Sequence, residues 1–165
     1  MEQSTRGVNS ARGQAAERWS RQFTPLHCLA VDCLYGWTVQ ETRTDFHKEI
    51  ANIDIIFNEG TVQQKDYTSK SNNPWTKGLE ACVQVGMINK DVDLYTFHWT
   101  HARKLLVIPG YHIKKFDKKA RKVNGTESNG WNDFYAIPIE QLTGLEHAFL
   151  YEDEDYDWLV GLTLT

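Results

Sequence analysis

Apolar residues recur along this chain in two rhythms, one close to four residues and one of two. Ala11, Ala15, Ala16, Trp19 and Phe23 fall on one side of a helical wheel, Ser10 can cap the stretch, and Pro25 stops it, so a helix is expected over residues 11–23. Residues 26–34 form a second apolar piece, expected as a short helix ending near Gly36, and residues 37–42 read as a strand. The β-rich run 53–57 and the run 61–67 flank Asn58-Glu59-Gly60, which is turn chemistry, and together they predict a hairpin. Asn73-Pro74 is a good helix start, and Leu79, Cys82, Val83, Gly86 and Met87 follow at helical spacing. Strands are expected over 94–100, 105–108 and 134–139. Ile113, Phe116, Ala120 and Val123 predict one more helix, ended by Asn124-Gly125.

Composition narrows the class. The chain has 165 residues, 41% hydrophobic and 24% charged, which is ordinary globular usage and about one domain. Residues 1–9 read as a flexible arm and 151–165 as an acidic C-terminal segment of that single domain. No run of about 18 apolar residues is present, and residues 1–13 are polar, so neither a membrane span nor a signal peptide is expected. Three cysteines, an odd number, fit reduced thiols in an intracellular, cytoplasmic protein. His27, Cys28 and Cys33 cluster in sequence, but their spacing matches no common zinc pattern, and buried apolar thiols are the better reading.

The formal net charge is −4, yet it is unevenly spread. Residues 140–165 hold seven acids and no Lys or Arg, which leaves 18 basic and 15 acidic side chains before them. Residues 103–122 hold eight basic side chains against Asp117 alone. Such separation permits a local positive field on a negative protein.

The residues that could carry chemistry lie in the hairpin, which reads Ile53-Asp54-Ile55-Ile56-Phe57 and then Thr61-Val62-Gln63-Gln64-Lys65. An aspartate on one strand and Gln-x-Lys on the next resemble the PD-(D/E)XK nuclease superfamily, in the Gln-x-Lys form known from an intron-encoded homing endonuclease. Holliday junction resolvases and many restriction enzymes belong to the same superfamily. The resemblance implies an α/β fold, a restriction-endonuclease-like α-β-β-β-α-β core whose mixed central sheet is flanked by helices. Two positions depart from the pattern: Ile53 stands where proline is usual, and Gln63 where an acid is usual.

The resemblance implies that Asp54 and Gln63 ligate Mg²⁺ (or Mn²⁺), that the Gln64 main-chain carbonyl adds a ligand, and that Lys65 assists catalysis. It also implies a glutamate from the first helix, for which Glu17 is the candidate, with Glu49 as another second acid. The chemistry is coherent: hard divalent cations take oxygen ligands, and an ammonium meets the charge that builds on the phosphate. The expected phosphate-binding set is Lys114, Lys115, Lys118, Lys119, Arg121 and Lys122 on the basic helix, with Arg6 and Arg12 of the arm. The protein expected from this is a metal-dependent endonuclease on duplex or branched DNA, a homodimer or higher oligomer, of homing or restriction type and borne by a phage or mobile element. The alternatives are a junction resolvase or repair nuclease, and a non-catalytic DNA-binding or regulatory protein on the same fold. His98 and His101, three apart on a strand, would face opposite sides, so packing or surface roles are expected for them.

Overall fold

The computed structural model describes residues 18–42, 55–67, 78–84, 91–116, 121–124 and 133–165. Residues 18–21 are helical, and a turn at 22–23 leads into α1 (Thr24–Tyr35). Pro25 therefore opens a helix, where its missing N–H costs nothing, and does not merely close one. Gly36 ends α1 in the left-handed region (φ 69°), donating its N–H to the Asp32 carbonyl at 2.7 Å. Leu26, His27, Ala30 and Val31 form the buried stripe of this helix.

The expected strands follow as β1 (Val39–Thr42), β2 (Ile55–Phe57) and β3 (Thr61–Tyr67). Ile55 pairs with Val62 and Ile56 with Thr61, so β2 and β3 form the hairpin that the sequence predicts. After β4 (Glu80–Gln84) come β5 (Leu94–Trp99) and β6 (Lys104–Pro109), and then the short helix α2 (Gly110–Lys114). Gly110 is fixed by crowding: a Cβ there would lie 1.8 Å from the Val92 carbonyl oxygen. The chain continues through β7 (Arg121–Asn124), β8 (Asp133–Pro138), a 3₁₀ turn at Ile139–Gln141, β9 (Phe149–Glu152) and α3 (Asp153–Thr163).

These elements make a mixed α/β architecture. Six strands form one sheet in the order β1-β2-β3-β5-β6-β9, and three form a second sheet in the order β4-β8-β7. Among the described strands of the large sheet only the β3–β5 pair is parallel, with Gln63 opposite Tyr95 and Asp66 opposite His98. Side chains alternate across β5 and β6, so each strand feeds two cores. Leu94, Leu105 and Val107 pack with α1 and α3, whereas Tyr95, Phe97, Trp99, Leu106 and Ile108 pack with Ala81, Val83 and Ile137 of the small sheet. Polar bonds tie the layers. Tyr67 accepts the Cys82 N–H at 2.9 Å, Trp99 Nε1 donates to the Glu80 carbonyl at 3.1 Å, and Tyr151 donates to the Ala30 carbonyl at 3.0 Å.

Two expectations need correction, and the acidic segment gains an element. The stretch expected as a helix after Pro74 contains β4, because Ala81 and Val83 are buried at a spacing of two, which a strand puts on one face. The basic helix expected from Ile113 to Val123 is split, since α2 stops at Lys114 and residues 121–124 are a strand. Most of the acidic segment is helical: Asp153, Glu154 and Asp155 occupy the first turn of α3, where carboxylates suit the helix dipole, and Tyr156 and Leu159 are buried against the large sheet. The cysteines are free, as expected, but Cys33 is exposed rather than buried.

Candidate functional site

The alternation along β3 decides where its polar residues go. Val62 packs with α1 and α3, and Gln64 and Asp66 share that face, where they meet the start of α1. Gln63, Lys65 and Tyr67 turn to the opposite face, where Tyr67 packs on the core shared with the small sheet. Gln63 and Lys65 are thus brought to one side, as expected. Gln63 is 2% exposed and its Oε1 has no hydrogen-bond partner among the described residues, whereas Lys65 is half-buried. An acceptor buried without a donor forfeits its hydration and gets nothing back.

The hairpin register bears on the aspartate. Each described pair sets an odd number against an even one, Ile55 with Val62 and Ile56 with Thr61. That parity puts even positions of the first strand on the face of Gln63 and Lys65. Asp54 itself lies outside the described residues, as do Glu17 and Glu49.

The basic set is not gathered on one helix. Lys114 ends α2 and pairs with Asp91, while the Lys115 ammonium stands 5.4 Å from the Tyr111 ring centroid. Arg121 and Lys122 belong to β7, and Lys118, Lys119, Arg6 and Arg12 lie outside the described residues.

On the α1 side of the sheet stands a polar cluster that the sequence reading did not assemble. The Asp66 carboxylate accepts from His27 Nε2 and from His98 Nδ1, both at 2.8 Å and both on Oδ1. Its Oδ2 accepts from Gln64 Nε2 at 2.7 Å and from the Ser20 hydroxyl. The far nitrogens of the two rings meet hydroxyls: His27 Nδ1 lies 2.6 Å from Thr96 Oγ1, and His98 Nε2 lies 2.8 Å from the Tyr156 oxygen. Gln64 Oε1 accepts from the Thr24 hydroxyl at 2.9 Å, and its amide also donates to the Ser20 carbonyl at 2.9 Å. The His27, Asp66 and His98 side chains are all 0% exposed.

Electrostatics fixes the charge of the cluster. Burial pushes the Asp66 carboxyl up, but the charge and hydrogen bond of His27, with hydrogen bonds from His98 and Ser20, hold it well below the usual carboxylate range. Burial lowers His98, and His27 adds to this, against the opposing pull of Asp66. Asp66 is therefore an anion at neutral pH and His98 a neutral imidazole that donates from Nδ1. The signal for this cluster was present in the sequence only in fragments. His27 falls on the buried stripe of α1, and Asp66 and His98 fall on alternate positions of two strands, but 39 and 32 residues separate Asp66 from its partners. His101 is exposed, in keeping with the surface role expected for it.

Comparison of the chain with protein families, with curated proteins and with solved structures finds no match. Among the described residues, no helix is long and apolar enough to cross a membrane.

Proposed function

We propose that the protein is a metal-dependent endonuclease of the PD-(D/E)XK kind, with its site on the Gln63–Lys65 face of β3. The observation that carries this reading is the buried Oε1 of Gln63, without a partner among the described residues, on the same face as the Lys65 side chain. A neutral amide oxygen in that state is a ready ligand for a hard cation, which would supply the partner that the described residues do not. The order helix, three antiparallel strands and a parallel strand, given by α1, β1, β2, β3 and β5, suits the α-β-β-β-α-β core. The second helix of that core has no counterpart in the described part of the connection, where β4 stands instead.

In this reading Asp54 and Gln63 would hold Mg²⁺, which supplies Lewis-acid activation of the scissile phosphate and of a water. Asp54 contributes the anionic oxygen and Gln63 a neutral one. Lys65 orients the attacking water and meets the negative charge that develops on the phosphate, and that charge is larger in the transition state than in bound DNA. Duplex or branched DNA is the substrate, and a dimer would bring one site to each strand. The test is incubation of the purified protein with supercoiled plasmid and Mg²⁺ or Mn²⁺. Nicked and linear products that vanish with chelator are expected. Plasmid bound but uncut with either metal would overturn the catalytic reading and favour a DNA-binding protein in which Gln63 replaces a lost acid.

A further inference from the structure

We propose that His27, Asp66 and His98 form a binding site for one transition-metal ion of the zinc type, separate from the Gln63–Lys65 face. One ligand comes from each of α1, β3 and β5, and the ligand atoms all lie within 4.8 Å of one another. Two imidazoles and a carboxylate are the donor set that zinc and its first-row neighbours favour over magnesium or calcium.

The surroundings are built for such an ion. Both ring nitrogens that would ligate already converge on Asp66 Oδ1, and the other carboxylate oxygen is engaged separately by Gln64 and Ser20. Metal-bound imidazoles need a polar partner at the second nitrogen, which fixes the ring and its tautomer. Thr96 Oγ1 and the Tyr156 hydroxyl stand at those two positions. A hydroxyl accepts as readily as it donates. Ligation through His27 Nε2 and His98 Nδ1 would leave one ring proton on His27 Nδ1, facing Thr96, and one on His98 Nε2, facing Tyr156, with any further ring proton released to solvent, so each ring keeps its hydrogen-bonded partner.

The separation of the ligand atoms fits as well. Tetrahedral bonds of about 2.0–2.1 Å put neighbouring ligands roughly 3.3 Å apart, about half an ångström beyond the two 2.8 Å contacts to Asp66 Oδ1 and inside the 4.8 Å that bounds the whole set. The ion would offset the buried Asp66 charge, and the 0% exposure of all three side chains means that it enters during folding or a local opening. Nothing in this proposal depends on the nuclease reading.

The test is metal content and spectroscopy on the full chain, expressed with added Zn²⁺ or Co²⁺ and dialysed into excess Mg²⁺ to fill any hard-cation site. The expected result is close to one equivalent of Zn²⁺, and with Co²⁺ visible d–d bands without a thiolate charge-transfer band. Gln63→Ala should leave both unchanged, which separates this site from the proposed catalytic one. His27→Gln and Asp66→Asn should lose the metal. Should either fail to fold, Thr96→Val and Tyr156→Phe keep all three ligands and are expected to weaken zinc binding by about 10–100-fold. A folded wild type that carries no Zn²⁺ or Co²⁺ would overturn the proposal and leave the cluster a hydrogen-bond network. Metal content unaltered in the Thr96 and Tyr156 variants, or a thiolate band in the cobalt protein, would overturn it equally.

Discussion

Gln63 and Asp66 sit three residues apart on one strand and solve the problem of a buried polar group in opposite ways. Asp66 is surrounded by donors, whereas the Gln63 Oε1 has none among the described residues. In the absence of divalent metal, Gln63→Met is therefore expected to stabilise the fold by about 1–3 kcal/mol, the cost of an unsatisfied buried acceptor. Urea unfolding in chelator measures it, and a loss of stability would show that Oε1 is satisfied. With metal, Gln63→Glu adds a negative charge to the proposed ligand set and should lower the Mg²⁺ concentration for half-maximal cleavage, while Gln63→Ala should raise it. Three superimposable titration curves would remove Gln63 from the ligand set.

The Asp66 cluster makes stability depend on pH in a definite direction. His98 is depressed in the folded protein, so below about 6.5, its ordinary value, the unfolded chain takes up protons that the fold refuses. Asp66 is depressed too, so its contribution is intact above about 4 and is lost as the pH falls towards its folded value. Both effects have the same sign: urea midpoints should fall from pH 7 to 5 and again below 4. His98→Gln should remove part of the upper slope. A wild-type profile flat between pH 7 and 5 would contradict the buried, neutral His98.

At the scale of elements, what the sequence disclosed follows from how local each signal is. The β2–β3 hairpin was legible because Asn58-Glu59-Gly60 lies between two strand-like runs, and α1 because Gly36 marks its end. The strand β4 was not, because Leu79, Cys82 and Val83 also satisfy a helical spacing and a short apolar run does not separate the two periods. Charge hid α3: the acids at 152–157 resemble a solvated tail, although Tyr156 and Leu159 are three apart and both buried. The candidate site divides the same way. Gln63 and Lys65 are two residues apart, and strand alternation alone puts them on one face. His27, Asp66 and His98 meet only through the parallel β3–β5 pairing and the docking of α1. The docking of α3 can be measured. Leu159→Ala should cost about 2–5 kcal/mol as a core truncation. Tyr156→Phe should cost about 0.5–1.5 kcal/mol for the hydrogen bond to His98. Unchanged stability in both would mean that α3 is not packed on the sheet.

For the whole molecule, the large sheet separates two polar centres, one on each face. The proposed catalytic pair faces the small-sheet side and the His-Asp-His cluster faces the helices. On the proposed reading, DNA would be held by positive charge that the net −4 conceals. Lys115 at the end of α2 and Lys122 on β7 are candidates from the basic stretch. Replacing both with Ala should weaken binding to all sequences and reduce the dependence of log affinity on log salt by roughly two counterions. An unchanged salt slope would place the phosphate contacts elsewhere.

The central claim, that the Gln63–Lys65 face cleaves DNA with a bound metal, is tested most directly by single-turnover cleavage of duplex DNA in saturating Mg²⁺, with a binding titration beside it. Wild type and Lys65→Ala should bind DNA alike, while cleavage by the variant falls by at least about a hundredfold, the loss of one group that meets transition-state charge. A Lys65→Ala protein that folds, binds and cuts at the wild-type rate would contradict the account.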